Sequence, residues 1–477
     1  MGYETVIGLE VHLHLNTKTK AFCGCSTEFG KDPNSQTCPI CLGMPGVLPV
    51  LNEEAFYFAI KVALALNCKA RSFIKFDRKN YYYPDLPKNY QISQYDMPLS
   101  FDGHLEIGAG SSEKKTIRIK RVHLEEDAGK LIHDTKGDYS LVDLNRAGIP
   151  LLEIVSEPDI NSPQEAYDYL AALKSILEYL EVSDCDMEKG SLRCDANVSV
   201  RKAGEKALGE KVELKNMNSF KGVRSALEYE RERQIEAVGS HEKIRQETRL
   251  WDADKGITMP MRTKEEAHDY RYFPEPDLVP FVVDEKRIEE IRGSLPELPA
   301  KKNKRFMEDF GLSEYDAGVL TSRKDMAVFF EACAGIYKNA KVAANWIMGD
   351  IANHMNIKKT GIKGLGIAPE GVAGLLKMID SGAISGKIAK EVLTEMIETK
   401  RTPMDIVSAK GLTQISDKDE LETVAGSVID SNPKTVEDYR SGKKAALAFL
   451  VGQVMKRTKG RANPKFVNEI LAKKLGE

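Results

Sequence analysis

Four cysteines near the amino end fall in two close pairs: Cys23-Gly-Cys25, then twelve residues, then Cys38-Pro-Ile-Cys41. Thiolates spaced this way present two sulfurs to one ion from each turn, and the loop between them closes a tetrahedral site that suits Zn²⁺. Four sulfurs leave no position open for a substrate, so such an ion is a staple for the chain. The spacing also admits reduced, buried thiols without a metal, or a redox Cys-Pro-Ile-Cys pair. Cys68, Cys185, Cys194 and Cys333 are scattered and read as core residues.

A second kind of chemistry lies in acidic residues on strand-like segments. Glu10 stands with His12, Glu125 with Glu126 and Asp127, and Glu153 with Glu157. Carboxylates with one imidazole suit Mg²⁺, which takes a few protein oxygens and keeps positions for water and a nucleotide's phosphates. Each segment taken alone also fits a solvated edge charge or an ion-pair partner. Spacing does not bring the three together. The chain has no P-loop, no kinase glycine-rich loop and no dinucleotide fingerprint, so a nucleotide needs a cradle of another kind. It has no G-x-S-x-G elbow, and Gly110-Ser111-Ser112 is too slight to count as a hydrolase nucleophile.

The elements that must position these groups read as an α+β multidomain protein. Thr5 to Leu15 alternates, placing Glu10, His12 and His14 on one strand face and Val11, Leu13 and Leu15 on the other. Asn52 opens a helix to about Leu66, with Glu53 and Glu54 in its first turn. Ser162-Pro163-Gln164-Glu165 combines a cap, a first-turn proline and a capping box, and the helix runs to about Val182. Asn218 or Ser219 caps another from Phe220 to about Val238. Thr116 to Leu124, Ser140 to Leu144, Leu151 to Val155, Val198 to Val200 and Val212 to Leu214 read as strands. The prolines of Ser294-Leu295-Pro296-Glu297-Leu298-Pro299 mark a boundary, after which only helical periodicity remains. A second boundary falls between Arg401 and Thr413. The division is 1–293, mixed α/β; 294–405, helical; and 406–477, a helical tail.

The 477-residue chain carries a formal net charge of −3, yet from Arg440 to the end ten basic side chains face two acidic ones. A basic tail on an acidic body fits a polyanionic partner. Lys456, Arg457, Lys459 and Arg461 join the last two helices, about Lys443 to Lys456 and Pro464 to Leu475. They are candidates for phosphate contacts, with a solvated basic face as the plainer reading. No signal peptide and no membrane-spanning run is read, so the cytosol is the expected compartment.

Several long strings carry a resemblance. They are Glu4-Thr-Val-Ile-Gly-Leu-Glu-Val-His12, Arg78-Lys-Asn-Tyr-Tyr-Tyr-Pro-Asp-Leu-Pro-Lys88, Val122-His-Leu-Glu-Glu-Asp-Ala-Gly129 and Asp143-Leu-Asn-Arg-Ala-Gly-Ile-Pro-Leu-Leu-Glu-Ile154. Gly190-Ser-Leu-Arg-Cys-Asp-Ala-Asn-Val-Ser199, Glu213-Leu-Lys-Asn-Met-Asn-Ser219 and Asp269-Tyr-Arg-Tyr-Phe-Pro-Glu-Pro-Asp-Leu278 follow in order. Together they resemble the B-type subunits of the tRNA-dependent amidotransferases, and Gly452 to Pro464 is similar to that family's YqeY-like tail. The resemblance implies a cradle-shaped first domain and two cofactors, ATP and Mg²⁺. It implies two partners, an A-type amidase subunit with a small C-type subunit, and misacylated tRNA as substrate. Ammonia made by the amidase partner attacks a side-chain carboxylate activated by ATP. Carried onto this chain, Glu10, His12, Glu125 and Glu153 hold Mg²⁺. Glu125, Lys79 and Lys88 form the polar end of an ammonia tunnel, and Arg146, Lys215, Tyr81 and Asn145 line the nucleotide or carboxylate site. The family does not always carry the four cysteines, so zinc rests on their spacing.

Two other readings compete with a catalytic role in such a complex. One is a tRNA-binding scaffold whose partner does the chemistry, and the other is a free-standing ATP-grasp-like or zinc enzyme acting on a small acid. Loss of Glu10 and Glu125 separates the first of these. A requirement for tRNA and a partner separates the second.

Overall fold

A computed structural model describes residues 2–108, 114–133, 137–263, 270–412, 418–458 and 461–476. Lys459, Asp269 and Gly110-Ser111-Ser112 lie outside them. The chain divides into two compact units, residues 1–301 and 302–477.

The first unit is built on strands β1 Tyr3–His14, β2 Lys69–Ala70, β3 Phe73–Ile74, β4 Asp77–Asn80, β5 Tyr90–Ser93, β6 Ser100–Ile107, β7 Lys115–Glu126 and β8 Lys130–His133. These continue with β9 Ser140–Asp143, β10 Pro150–Ser156, β11 Leu192–Lys202, β12 Val212–Lys215, β13 Glu247–Asp252, β14 Ile257–Thr263, β15 Phe273–Pro274 and β16 Phe281–Val282. Nine of them form one sheet in the order β14-β13-β12-β11-β1-β10-β7-β6-β2. A three-stranded sheet, β15-β4-β5, carries Lys79 and Ser93.

The alternation read in β1 decides how the sheet is used. Leu9, Val11 and Leu13 are fully buried in the main core with Leu152, Ile154, Val122 and Leu124. Helices α1 Glu53–Ala65, α2 Pro163–Leu180 and α3 Phe220–Gly239 contribute Ile60, Leu170, Leu177 and Leu227 to the same core. Because side chains alternate across a strand, this burial leaves the opposite face of the central strands for polar groups.

The helix starts are made as the sequence implies. Asn52 accepts from the amides of Glu54 and Ala55, Ser162 accepts from Glu165 N, and Ser219 accepts from Gly222 N. Asn52 also donates to Thr19 O and Lys20 O, tying α1 to the chain beside the first cysteine pair. Replacing Asn52 with Ala removes the cap and the tie, and is expected to cost about 1–2 kcal/mol in a denaturation measurement. An unchanged midpoint would show that the cap is carried by the surrounding packing.

The sequence reading missed the hairpin partner β6, the edge strand β14 and its neighbour β13. Their apolar residues are interrupted by Gly103, by charges and by Pro260, which hide the period of two. The second unit is helical, and no strand occurs among its described residues. Leu421, Val428, Leu450, Val454, Ile470 and Leu471 form a core of their own for its last four helices. No helix among the described residues is long and apolar enough to cross a membrane.

Candidate active site and metal centres

The register of the four central strands assembles the polar face. His12 of β1 lies opposite Glu153 of β10 on one side and Arg193 of β11 on the other, and Glu153 lies opposite His123 of β7. Directly opposed residues share a face, so Arg193, His12, Glu153 and His123 form one row across the sheet. Glu125, two residues beyond His123, joins them from the next row. His12 Nε2 is 3.8 Å from Glu125 Oε1 and 3.6 Å from Glu153 Oε2. One donor atom from each of His12, Glu125 and Glu153 lies within 4.8 Å of the others. Segments the sequence left apart are thus brought together by strand pairing.

His123, given no role from sequence, is buried with Nε2 3.5 Å from Glu125 Oε2 and 3.2 Å from Glu153 Oε2. Its signal was its parity with Glu125, and the strand read from Thr116 to Leu124 stopped one residue short of showing it. Burial pushes its pKa down, yet the charges of Glu153 and Glu125 win and lift it to about 9. Burial also pushes Glu125 and Glu153 up, but His123 beside both, with His12 beside Glu153, holds them below the usual carboxylate range. Ser93 donates to Glu125 Oε2 at 3.0 Å and fixes that carboxylate from the smaller sheet.

Glu10 stands one row from His12 on the side away from Glu125. It is opposite Asp195, and its carboxylate accepts from Asn197 at 3.0 Å. It shares the polar face but is not in the cluster of three. Glu157, paired with Glu153 in the sequence reading, lies elsewhere. The register shifts between Val155 and Ser156, the strand ends, and Glu157 lines a surface pocket with His104, Glu106 and Arg118.

The cationic candidates separate into four places. Lys79 sits between the rings of Tyr270 and Tyr81, at 4.9 and 5.7 Å from their centroids, and its charge reaches Glu125. Lys88 pairs instead with Glu126, whose Oε1 also accepts from Ile92 N at 2.9 Å. Lys215 is held by Asp195 and Glu213, beside the row of Glu10. Arg146 lies 3.3 Å from Asp127 Oδ2, and the same oxygen meets Arg193 at 2.9 Å and His14 at 2.6 Å. Burial raises the Asp127 pKa, but Arg193, His14 and Arg146 together hold it far below the ordinary range. Two guanidinium groups around one carboxylate leave positive charge over for an anion. Tyr81 and Tyr272, raised first by burial and then by Glu125, stay neutral beside the carboxylates. Tyr272 stacks on Tyr95 at 4.1 Å.

Asn145 turns away from this face. Its side chain accepts from Gln36 N at 2.8 Å and donates to Asp32 O at 2.7 Å.

Cys23, Cys25, Cys38 and Cys41 converge, with one sulfur from each within 4.8 Å of the rest. Cys41 Sγ accepts from Cys38 N at 3.1 Å, and the fully buried Lys20 ammonium approaches it at 3.7 Å. The thiol of Cys23, then Lys20 and Cys38 N, hold Cys41 down to about 4, while burial pushes Cys25 up to about 11. Four sulfurs this close cannot all ionise against one another without a cation, so the donor set fits Zn²⁺. A cavity of ≈ 190 Å³ is lined by Cys23 and Cys41 of the knuckle together with Lys88 and Glu126. Cys68, Cys185, Cys194 and Cys333 are buried and free, as a core role requires.

In the tail, Lys456 and Arg457 are exposed on helix Ala445–Arg457. Arg457 also donates to Ser431 Oγ at 2.8 Å, and Arg461 to Gly411 O at 3.3 Å. Lys459 lies outside the described residues.

The carboxylate–imidazole cluster thus lies on one face of a largely antiparallel sheet, beside an arginine clamp, in a chain whose second unit is helical. The GatB/GatE catalytic domain matches residues 5–289, and the GatB domain matches residues 328–475. The B-type subunit of the aspartyl/glutamyl-tRNA(Asn/Gln) amidotransferase of Caldanaerobacter subterraneus is 58% identical over 477 residues, all of both chains. Its counterpart in Carboxydothermus hydrogenoformans is 57% identical over 100% of this chain and 99% of its own, and that of Thermodesulfovibrio yellowstonii is 54% identical over the whole of both. The chain belongs to the family of B-type subunits of aspartyl/glutamyl-tRNA(Asn/Gln) amidotransferase.

Proposed function

We propose that the chain converts Glu-tRNA(Gln), Asp-tRNA(Asn) or both to the amidated tRNAs, in an ATP-dependent complex with an A-type amidase subunit and a small C-type subunit. The observation that carries this reading is the convergence of His12, Glu125 and Glu153 beside the Arg146–Asp127–Arg193 clamp.

A carboxylate does not condense with ammonia, because oxide is too poor a leaving group. The side-chain carboxylate first attacks the γ-phosphorus of ATP and ADP leaves. Ammonia then attacks the acyl phosphate, inorganic phosphate leaves, and a proton passes from nitrogen to a base. Phosphoryl transfer asks the protein mainly for positioning and charge stabilisation. Glu125, Glu153 and His12 would hold Mg²⁺, with Glu10 on the same face as a further candidate ligand, and the ion would supply positive charge to the phosphate oxygens. Arg146 and Arg193 meet the phosphates, and Tyr81 and Lys79 flank the reacting carboxylate. Lys215 orders the far end of the polar face through Asp195. Glu125 with Lys79 receives ammonia, and Lys88 with Glu126 lines its approach. Asn145 serves the site through the loop it braces. Keeping water out preserves the acyl phosphate and lets ammonia arrive unprotonated.

This reading divides the chain into a cradle of residues 1–293, a helical domain of 294–405 and a YqeY-like tail of 406–477. Lys456, Arg457, Lys459 and Arg461 of the tail contact tRNA phosphates. Replacing Lys456, Arg457 and Arg461 with Ala is expected to weaken tRNA binding and to flatten its log–log salt dependence by roughly one-half to one per lost contact. An unchanged slope would remove the tail from the tRNA interface.

The step to test is activation. With misacylated tRNA and ATP but no ammonia source, hydroxylamine should trap the activated side chain as a hydroxamate, with ADP released. ADP release no faster than with ATP alone, and no ATP-dependent side-chain hydroxamate beyond the α-hydroxamate that hydroxylamine draws from the aminoacyl ester itself, would place activation outside this chain.

A further inference from the structure

The cysteine knuckle and the arginine clamp are joined through one short segment. Asn34, in the loop between the cysteine pairs, makes three bonds to that segment. Its side chain donates to Val142 O at 2.9 Å and accepts from Leu144 N at 2.8 Å, and its backbone N–H donates to Asp143 Oδ1 at 3.1 Å. Asn34 has φ 60, a left-handed conformation that asparagine tolerates better than most side chains. Asn145 returns two bonds, to Gln36 N and Asp32 O. Lys20, which faces Cys41 Sγ, donates to Leu144 O at 3.3 Å, and Ala21 N donates to Gly148 O at 2.8 Å. Arg146 lies inside the stretch so held. Its guanidinium donates to Ala128 O at 3.0 Å and Gly129 O at 2.6 Å, and Gly148 N donates to Asp127 O at 2.8 Å.

We propose that the knuckle loop is a positioning element for the nucleotide site, with Asn34 and Asn145 holding the Val142–Gly148 segment so that Arg146, paired with Asp127 beside Arg193, meets the phosphates. This rests on the assignment of Arg146 to the nucleotide. A knuckle that only stabilised the fold would need bonds to any neighbouring surface. Here Asn34 bonds Val142 O and Leu144 N ahead of Arg146, and the backbone N–H of Ala21, two residues before Cys23, bonds Gly148 O after it, so the segment's backbone is fixed on both sides of that residue. Small displacements of a positioned group are costly in affinity and rate.

The test uses the three-subunit complex and the binding of a non-hydrolysable ATP analogue with Mg²⁺, measured with zinc content and melting temperature for each variant. Asn34→Ala and Arg146→Met are compared singly and together. The expected result is full zinc and near-normal melting for Asn34→Ala, with the analogue's Kd raised about tenfold and the KM for tRNA unchanged. The double variant should bind no more weakly than Arg146→Met alone, because both changes act through one group. Asn145→Asp, which keeps the acceptor for Gln36 N, should recover more affinity than Asn145→Ala. Additive losses in the double variant, or unaltered Kd in Asn34→Ala, would overturn the coupling while leaving the assignment of Arg146 intact. Unaltered Kd in Arg146→Met would overturn that assignment and the coupling with it.

Discussion

Glu125→Gln is expected to lower ATP-dependent amidation by at least about a hundredfold, the scale seen when one preorganised electrostatic contact to a developing charge is lost. The change keeps the side chain's size and its acceptor for Ser93 but removes the charge that faces His123 and His12. Glu153→Gln should fall by a similar factor, since Glu153 meets both imidazoles. The control is Glu157→Gln, four residues along the chain and outside the cluster, where activity should stay within about twofold, as for surface changes away from the site. Amide formation on misacylated tRNA with ammonium, measured across a range of Mg²⁺ concentrations, separates the readings. A loss that excess Mg²⁺ partly restores supports a ligand role. Full activity in Glu125→Gln and Glu153→Gln would mean that the cluster is structural and that the scaffold reading is the better one.

The second large effect is on the knuckle. Stripping zinc, or Cys38→Ser, should open the loop from Cys23 to Cys41, because structural zinc sites contribute folding free energy directly. The knuckle is one loop on a large core, so the contribution should be several kcal/mol, less than in a free-standing zinc finger, and should lower the melting temperature by roughly 5–15 °C. Hydrogen exchange should rise at residues 20–50 and 142–148, which share hydrogen bonds, and stay low in the buried strands β1 and β10. A purified chain with little zinc and unaltered melting would return the cysteines to the metal-free reading.

Much of this was legible in the sequence, and the reasons are local. The alternation of β1 announced which face carries His12, and the caps at Asn52, Ser162 and Ser219 were read at or within one residue of where they fall. The cysteine pairs declared themselves by spacing. The convergence of His12, Glu125 and Glu153 was not legible, because it is set by the antiparallel register of β7, β10 and β1, a long-range property. The same cause misplaced Glu157, which a register shift moves out of the site, and hid Arg193, whose role appears only when opposed strands are aligned. Asn145 and Lys88 were read as site residues from the strings that contain them. The structure turns Asn145 toward the knuckle and Lys88 toward Glu126.

The central claim is that activation and amidation belong to this chain and that its partner supplies only ammonia. The most direct measurement is amide formation on Glu-tRNA(Gln) and Asp-tRNA(Asn) by the co-purified complex, with its glutaminase blocked and ammonium supplied in place of glutamine, with and without ATP and Mg²⁺. Product should need both ATP and Mg²⁺ and should not need glutamine. No product from either tRNA, with ammonium and ATP both present and the complex intact, would contradict the claim.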